Sequence, residues 1–513
     1  MKGKTKISFS ALTLIAAAAL AACGGNESKK SNNPTDNSGN GSSQAPSKVE
    51  VLWWTNYKIP NTDDYSKTDY AQYDFAMNAI KGYRAEHPNV TITMEYGGSY
   101  TELANKVDSG IATGNIPDMV LTYGTYVNPW IKAGVVADVT SKGEALEKDA
   151  DFLKSYLDVE KAQYGGTKYY SLPYSKSADA FFYDKTMFTE KNYTVPTNFA
   201  DMMALARRIK TDYPSIYGTQ KDSDGNFTAV PVIYEGNANL FLTALESAGI
   251  EYCTADEDPA KAVKFNTQAA KDVMIQLKKW NNEGLIATKN QLYVSGQYHA
   301  YPSALFTVRK NAMLMSSTTG VRWLATYPTN KDGSVNENNF AMGTAELPAW
   351  KSEATGAALG QIRSLSQGPS IAFFKKKDTA KLDAALDFYD YLTSTTNSAQ
   401  LAKQTAYFPL RASSYADADI AANLAASKKG VQASDSFADK VSAYNGDVFN
   451  LNTTYASKNE YFMNPVFSLS GKARTAIGNM VDAVLGDKEA TTDEQIAKLV
   501  NDEFATAYSA IFA

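Results

Sequence analysis

Histidine and cysteine are nearly absent: the 513-residue chain has two of each. Neither His87 nor His299 has a Cys or Glu neighbour at ligand or relay spacing, so zinc-type sets and Cys–His or His-x-Glu centres are missing. His87, just before Pro88, reads as a solvated helix cap. Cys253 sits beside Tyr252 without an adjacent base and reads as structural. No Gly-x-Gly-x-x-Gly follows a strand pattern, and no Walker-type loop occurs. Asp222-Ser223-Asp224-Gly225-Asn226 starts like a calcium loop but lacks the closing Glu, which leaves a solvated Asp-Gly turn. Lys and Arg are interspersed with Asp and Glu, the net charge is only −5, and no basic stripe marks a nucleic-acid partner. No metal, cofactor or catalytic residue is expected. Carboxylate pairs are too common to single out a glycosidase without geometry.

Long apolar runs are also scarce. The one clear run, ALTLIAAAAL, follows Lys2, Lys4 and Lys6 and falls short of the roughly 20 residues that span a bilayer. It fits the h-region of a signal peptide over 1–22. It ends in Leu20-Ala21-Ala22-Cys23, which resembles a bacterial lipobox, so Cys23 is expected to be lipidated and to begin the mature chain. Two acyl chains meet the two-signal condition for stable anchoring. Residues 23–47 then form a Gly/Asn/Ser-rich tether with too little apolar surface to fold. With Cys23 acylated, Cys253 has no cysteine partner within the chain. The expected location is the extracytoplasmic face of the cell membrane, of a Gram-positive-type surface.

What is plentiful is tyrosine, at 32 residues, alongside 6 Trp. At this length two lobes are expected, because single cores stop growing near about 250–300 residues. KVEVLWW alternates as a strand. Tyr73, Met77, Ile80 and Arg84 keep helical spacing, and VTITMEY alternates again. Leu103, Val107 and Ile111 mark a second helix, and Asp118–Thr122 a third strand. Such βαβαβ order gives a doubly wound layer, whose ligands bind beyond the carboxyl ends of the strands. Trp53, Trp54, Asn56 and Tyr57 then lie past one strand and Tyr123, Thr125 and Tyr126 past another, facing one crevice if the sheet is parallel. Gly124 is expected to let the backbone turn sharply there, and Trp130 to pack against the next helix. Tyr and Trp pair a flat apolar body with a polar tip, which suits the C–H face and hydroxyls of a sugar ring.

The same tracts carry a resemblance. HPNVTI, IATGNIPDMVLTYGTY and WIKAGVVADVT, then GGTKYYSLP, FFYDKTMF and the more degraded TVPTNF, follow one another in the order seen in bacterial extracellular solute-binding proteins of the maltose-binding type. Later, NAMLM, GPSIA, the helix Leu382–Leu392 and Tyr407-Phe408-Pro409 are similar to that family's remaining motifs. Asp184 stands where the family pattern has Asn, and the Gly and Trp after NAMLM are displaced to Gly320 and Trp323. The resemblance implies a two-lobed, type II periplasmic-binding-protein-like α/β fold. Each lobe would be a mixed sheet flanked by helices, with the ligand cleft between them. Residues 48–173 with 345–398 would form the N-terminal lobe and 178–342 with 402–513 the C-terminal lobe, crossing near Pro173, Thr344 and Leu401.

By the same resemblance, further ligand contacts fall on Tyr174, Ser177 and Asp179, on Tyr234, Glu235 and Asn237, and on Ser317, Thr318 and Trp323. Trp350, Phe462 and Phe467 are late aromatic candidates. The implied function is substrate capture for an ABC importer, with an oligosaccharide as ligand and membrane permease subunits as partners to a monomeric receptor. A polyol phosphate or a peptide are the alternative ligands, with Lys58, Lys176 and Arg322 the nearest cations. An anchored glycan-active enzyme and a sensory co-receptor are the alternative roles.

Overall fold

The computed structural model describes residues 47–60, 70–218, 221–292, 302–324 and 340–513. The expected signal peptide, Cys23, the tether and His299 lie outside these residues. No described helix is long and apolar enough to cross a membrane.

Along the chain the first strands are β1 (Val49–Thr55), β2 (Val90–Tyr96), β3 (Met119–Thr122), β4 (Ser171–Pro173), β5 (Asp179–Asp184) and β6 (Val232–Tyr234). They are followed by β7 (Ile286–Thr288), β8 (Met313–Ser317), β9 (Met342–Ala345), β10 (Ser364–Leu365), β11 (Ser370–Phe373) and β12 (Tyr461–Phe462). The first sheet has the order β2-β1-β3-β11-β4 and the second β7-β6-β8-β5-β9, while β10 and β12 form a separate ribbon. β1 runs parallel to β2 and β3, whereas β11 is antiparallel to both its neighbours, so the first sheet is mixed.

Side chains alternate across the second sheet as period 2 requires. Phe181, Met313 and Met315 point into one core, and Phe182 and Leu314 into another. The helix Ala71–Glu86 forms as expected but buries Phe75, Ala79 and Tyr83, whereas Met77 and Arg84 of the expected spacing are exposed. The helix Tyr100–Thr113 opens on a capping box, in which Ser99 and Glu102 satisfy each other's backbone N–H, and closes on Gly114 at φ 74°.

β1 corrects one expectation. Its ladder with β2 continues through Thr55, so Trp53 and Trp54 are residues of the sheet and not of the loop beyond it. Trp53 is fully buried, edge-on to Tyr57, Tyr174 and Phe388 with ring centroids 5.8–6.2 Å away. Trp54 faces the opposite side of the sheet, where Lys106 Nζ lies 3.9 Å from its ring centroid.

Between the sheets, three stretches of chain are bonded side by side. Ser177 and Gln367 exchange backbone bonds of 3.0 and 2.7 Å, Ser175 N–H donates to Pro369 O at 3.1 Å, and Phe408 N–H donates to Lys176 O at 2.8 Å. Beside this crossing sits a buried ion pair, Lys176 Nζ to Glu160 Oε2 at 3.2 Å, with both side chains inaccessible. Lys176 also donates to Ser370 Oγ at 2.7 Å, and Glu160 accepts from Ser370, Ser171 and Gln163. A buried pair with its remaining hydrogen-bonding capacity filled in this way is tolerable, and removing one partner alone is costly.

Candidate ligand cleft

Two helix starts of the first lobe build one wall. Beyond β3, Tyr123 keeps extended backbone as the residue before the helix Gly124–Lys132, which presents Tyr123, Gly124, Thr125 and Tyr126 at the strand's carboxyl end. Beyond β2, Tyr100 opens its helix and sets its ring edge-on to Tyr123, centroids 4.7 Å apart. Opposite stand Leu365, Ser366 and Gln367 of the crossing, Met463 and Asn464 after β12, and Arg474 of the helix Ser470–Gly486. The cavity is about 390 Å³, within the range usual for small-molecule sites.

Gly124 serves a different end from the expected turn. A methyl group there would run into the Gln163 amide and come within 3.1 Å of Val466. Val466 N–H donates to Gln163 O at 2.7 Å, and the missing side chain leaves room for the Gln163 amide with Val466 beside it. Trp130 lies inside this same helix, buried, with its indole N–H donating to Asp108 at 2.6 Å.

Polar atoms without partners collect around the inner part of the cleft. Asn56 Oδ1, Tyr57 OH, Tyr174 OH, Ser175 Oγ and Ser366 Oγ are all buried and complete no hydrogen bond of full geometry. Tyr57 faces Tyr407, Ser175 and Tyr174, while Tyr100 stands against Asn56, Tyr407 and Tyr123, so the group is continuous with the cavity. Each such orphan costs about 1–3 kcal/mol, which an ordinary core does not concentrate in one place. Burial pushes the hydroxyls of Tyr57, Tyr100, Tyr123, Tyr174 and Tyr407 above the ordinary tyrosine range. They therefore stay neutral, each able to donate one bond and accept others.

The second-lobe side is fully bonded. Asp179 Oδ2 accepts from Tyr234 OH at 2.8 Å and from Asn239 Nδ2 at 3.1 Å, and Oδ1 accepts from Gln367. Arg474 in turn donates to Asn239 Oδ1 at 2.5 Å. Burial raises the Asp179 carboxyl above the ordinary range against the bonds from Tyr234, Gln367 and Asn239. Ser317 bonds Thr319 at 3.0 Å and Thr318 Oγ1 accepts from Ala178 N–H at 3.2 Å, which fixes the turn after β8. Glu235 accepts from Ser316. Trp323 lies beside Arg322, 5.2 Å from its guanidinium carbon.

Several expected contacts stand elsewhere. Asn237 is the first residue of the helix Asn237–Ser247 and donates to Asp482 Oδ2 at 2.7 Å and Gly478 O at 3.2 Å, joining two helices. Trp350 packs on Phe199 and Trp280 with centroids 5.3 and 5.6 Å away, and Phe467 is buried in the same core. Phe462, a residue of β12, lines a different cavity. Thus Tyr123, Thr125 and Tyr126 line the cavity, Asn56, Tyr57 and Tyr174 extend it inward, and Ser177, Asp179 and Tyr234 frame it. Tyr100, Gln163, Ser175, Ser366, Gln367, Tyr407 and Arg474 are additions. For Tyr100 the signal was the one that exposed Tyr123, a tyrosine just beyond a strand. The others come together only through the long-range crossing.

Residues 78–428 match the model of the bacterial extracellular solute-binding protein family. A multiple sugar-binding protein of Streptococcus mutans is 23% identical over 317 residues, 61% of this chain and 67% of that protein. The GacH receptor of Streptomyces glaucescens, solved unliganded and with acarbose, superposes with a TM-score of 0.59 at 18% identity, covering 90% of this chain and 99% of that one. UgpB of Mycobacterium tuberculosis, solved with glycerophosphocholine, gives 0.59 at 15% identity, covering 90% and 98%. At such identities the structural likeness establishes the two-lobed fold. On the family match, this chain belongs to the bacterial extracellular solute-binding proteins, and its location is extracytoplasmic.

Proposed function

We propose that the chain is the lipid-anchored receptor of an ABC importer, which captures a carbohydrate between its lobes and delivers it to membrane permease subunits without covalent chemistry. The carrying observation is the set of buried, unpartnered hydroxyl and amide oxygens at Asn56, Tyr57, Tyr174, Ser175 and Ser366 beside neutral tyrosine rings. A polyhydroxylated ring supplies both donors and acceptors to such groups and lays its C–H face on the aromatics. In this reading the expected lobe boundaries hold, Cys23 carries the anchor, and ligand favours the arrangement in which both lobes contact it.

The main alternative is a polyol phosphate, kept open by the fold of UgpB. Against it, the Lys176 charge is committed to Glu160 and Lys58 is exposed, whereas Arg474 in the cavity wall and Arg322 near Tyr407 are the cations it would use. A thermal-shift screen tests the choice, because tight ligand raises apparent stability by mass action. Stabilisation by saccharides supports the reading, and stabilisation by glycerol phosphates alone overturns it. Loss of membrane retention in Cys23→Ser tests the anchor. Release of product from a bound glycan would favour an enzyme instead.

A further inference from the structure

A second cavity, of about 630 Å³, lies beside the β10–β12 ribbon and next to the cleft. Its walls are the end of the helix Asn237–Ser247, the loop entering β10 and the residues after β12. The loop is held at its base: Gly360 N–H donates to Trp350 O at 2.8 Å and Gln361 N–H to Ser247 O at 2.9 Å. A methyl group on Gly360 would strike Ser247 O, so the loop is pressed against the helix end. Arg363 is fixed by its bond to Asn459 O at 2.9 Å, yet its Nε, 3.8 Å from Glu246, has no hydrogen-bond partner. Leu359, 62% exposed, stands at the rim. Met463 and Asn464 border both this cavity and the cleft.

From this we infer a second carbohydrate subsite, which takes the far end of an oligosaccharide whose near end occupies the cleft. The inference rests on the carbohydrate reading of the cleft. The lining carboxylates Glu246 and Glu251 outnumber the one guanidinium, which disfavours an anion. A guanidinium held between Glu246 and Asn459 O, carboxylate acceptors and the apolar surface of Phe462 and Leu359 suit a neutral, hydroxyl-rich unit. Because the two cavities share a border, one chain passing over Met463 and Asn464 reaches both, and its two contacts act as linked binding events.

The test is calorimetry of the full chain and of Leu359→Ser and Glu246→Ala with ladders of glucan, mannan, galactan and fructan oligosaccharides, from disaccharide to heptasaccharide. Affinity should rise by about tenfold or more once the chain outgrows the cleft. Both variants should lose that increment and keep the disaccharide affinity. The Leu359 change is at an exposed rim, so it remains informative if Glu246→Ala folds poorly. Affinity that is independent of length, or a length effect untouched in Leu359→Ser, overturns the second subsite and leaves the cleft reading standing. No binding by any ladder overturns both.

Discussion

The two sides of the cleft contrast in how their polar groups are treated. On the second-lobe side, Asp179 satisfies Tyr234, Asn239 and Gln367, and Arg474 completes the chain of bonds through Asn239. On the inner first-lobe side, Asn56, Tyr57, Tyr174 and Ser175 hold polar atoms that face one another without completing a hydrogen bond of full geometry. Both sides are buried, so burial alone does not separate framework from recognition surface. Hydrogen-bond accounting does: a saturated group is holding the protein together, and an unsaturated one is held ready for something else.

Substitutions can break this contrast. Trp53→Ala, beneath Tyr57 and Tyr174, should have the largest effect, a loss of about 3–5 kcal/mol of stability in denaturant unfolding; a small loss would mean that Trp53 is not a core residue. Asp179→Ala strands three donors and should cost ~3 kcal/mol, again as a lower unfolding midpoint. If it lost affinity at full stability, the saturated side would be the recognition surface. In the opposite sense, combined Tyr57→Phe and Tyr174→Phe should leave stability equal or higher, since orphan hydroxyls disappear. Ligand affinity by calorimetry should fall by about a hundredfold, on the order of 1.4 kcal/mol for each hydroxyl.

Gly124→Ala pushes on Gln163 and Val466. It should weaken binding by roughly tenfold, the equivalent of 1–3 kcal/mol of overpacking, while small-angle scattering reports a more open average shape. The smallest effect concerns Glu460, whose carboxyl is pushed up to about 7 by burial and by the neighbouring Glu346. The folded chain then binds a proton that the unfolded chain, near 4.5, has released. Stability from this group therefore falls as pH rises between about 4.5 and about 7. Glu460→Gln should flatten that part of the melting-temperature profile, and an unchanged slope would dissociate it from Glu460.

Much of the cleft's outer wall was legible in the sequence. PDMVLTYGTY announces a buried strand followed by tyrosines, and the rule that ligands meet strand ends needs nothing more. Trp53 and Trp54 misled because a single chain does not reveal where a ladder stops. β1 pairs on both sides, and its register with β2 carries the strand past both indoles. Trp350 and Phe467 are aromatic for the sake of the second-lobe core, and composition cannot separate that use from recognition. Ser175, Gln367 and Tyr407 belong to stretches separated by up to hundreds of residues, which only the crossing aligns.

That crossing has a mechanical consequence. The Glu160–Lys176 pair and its serines join a helix, β4 and β11 of the first lobe to the first residue stretch that leaves it. Lys176 is therefore held twice, its ammonium by these groups and its carbonyl by Phe408 N–H, so this one residue ties three stretches of the crossing together. The buried charge pair is a rivet: it pins the crossing strands in one register.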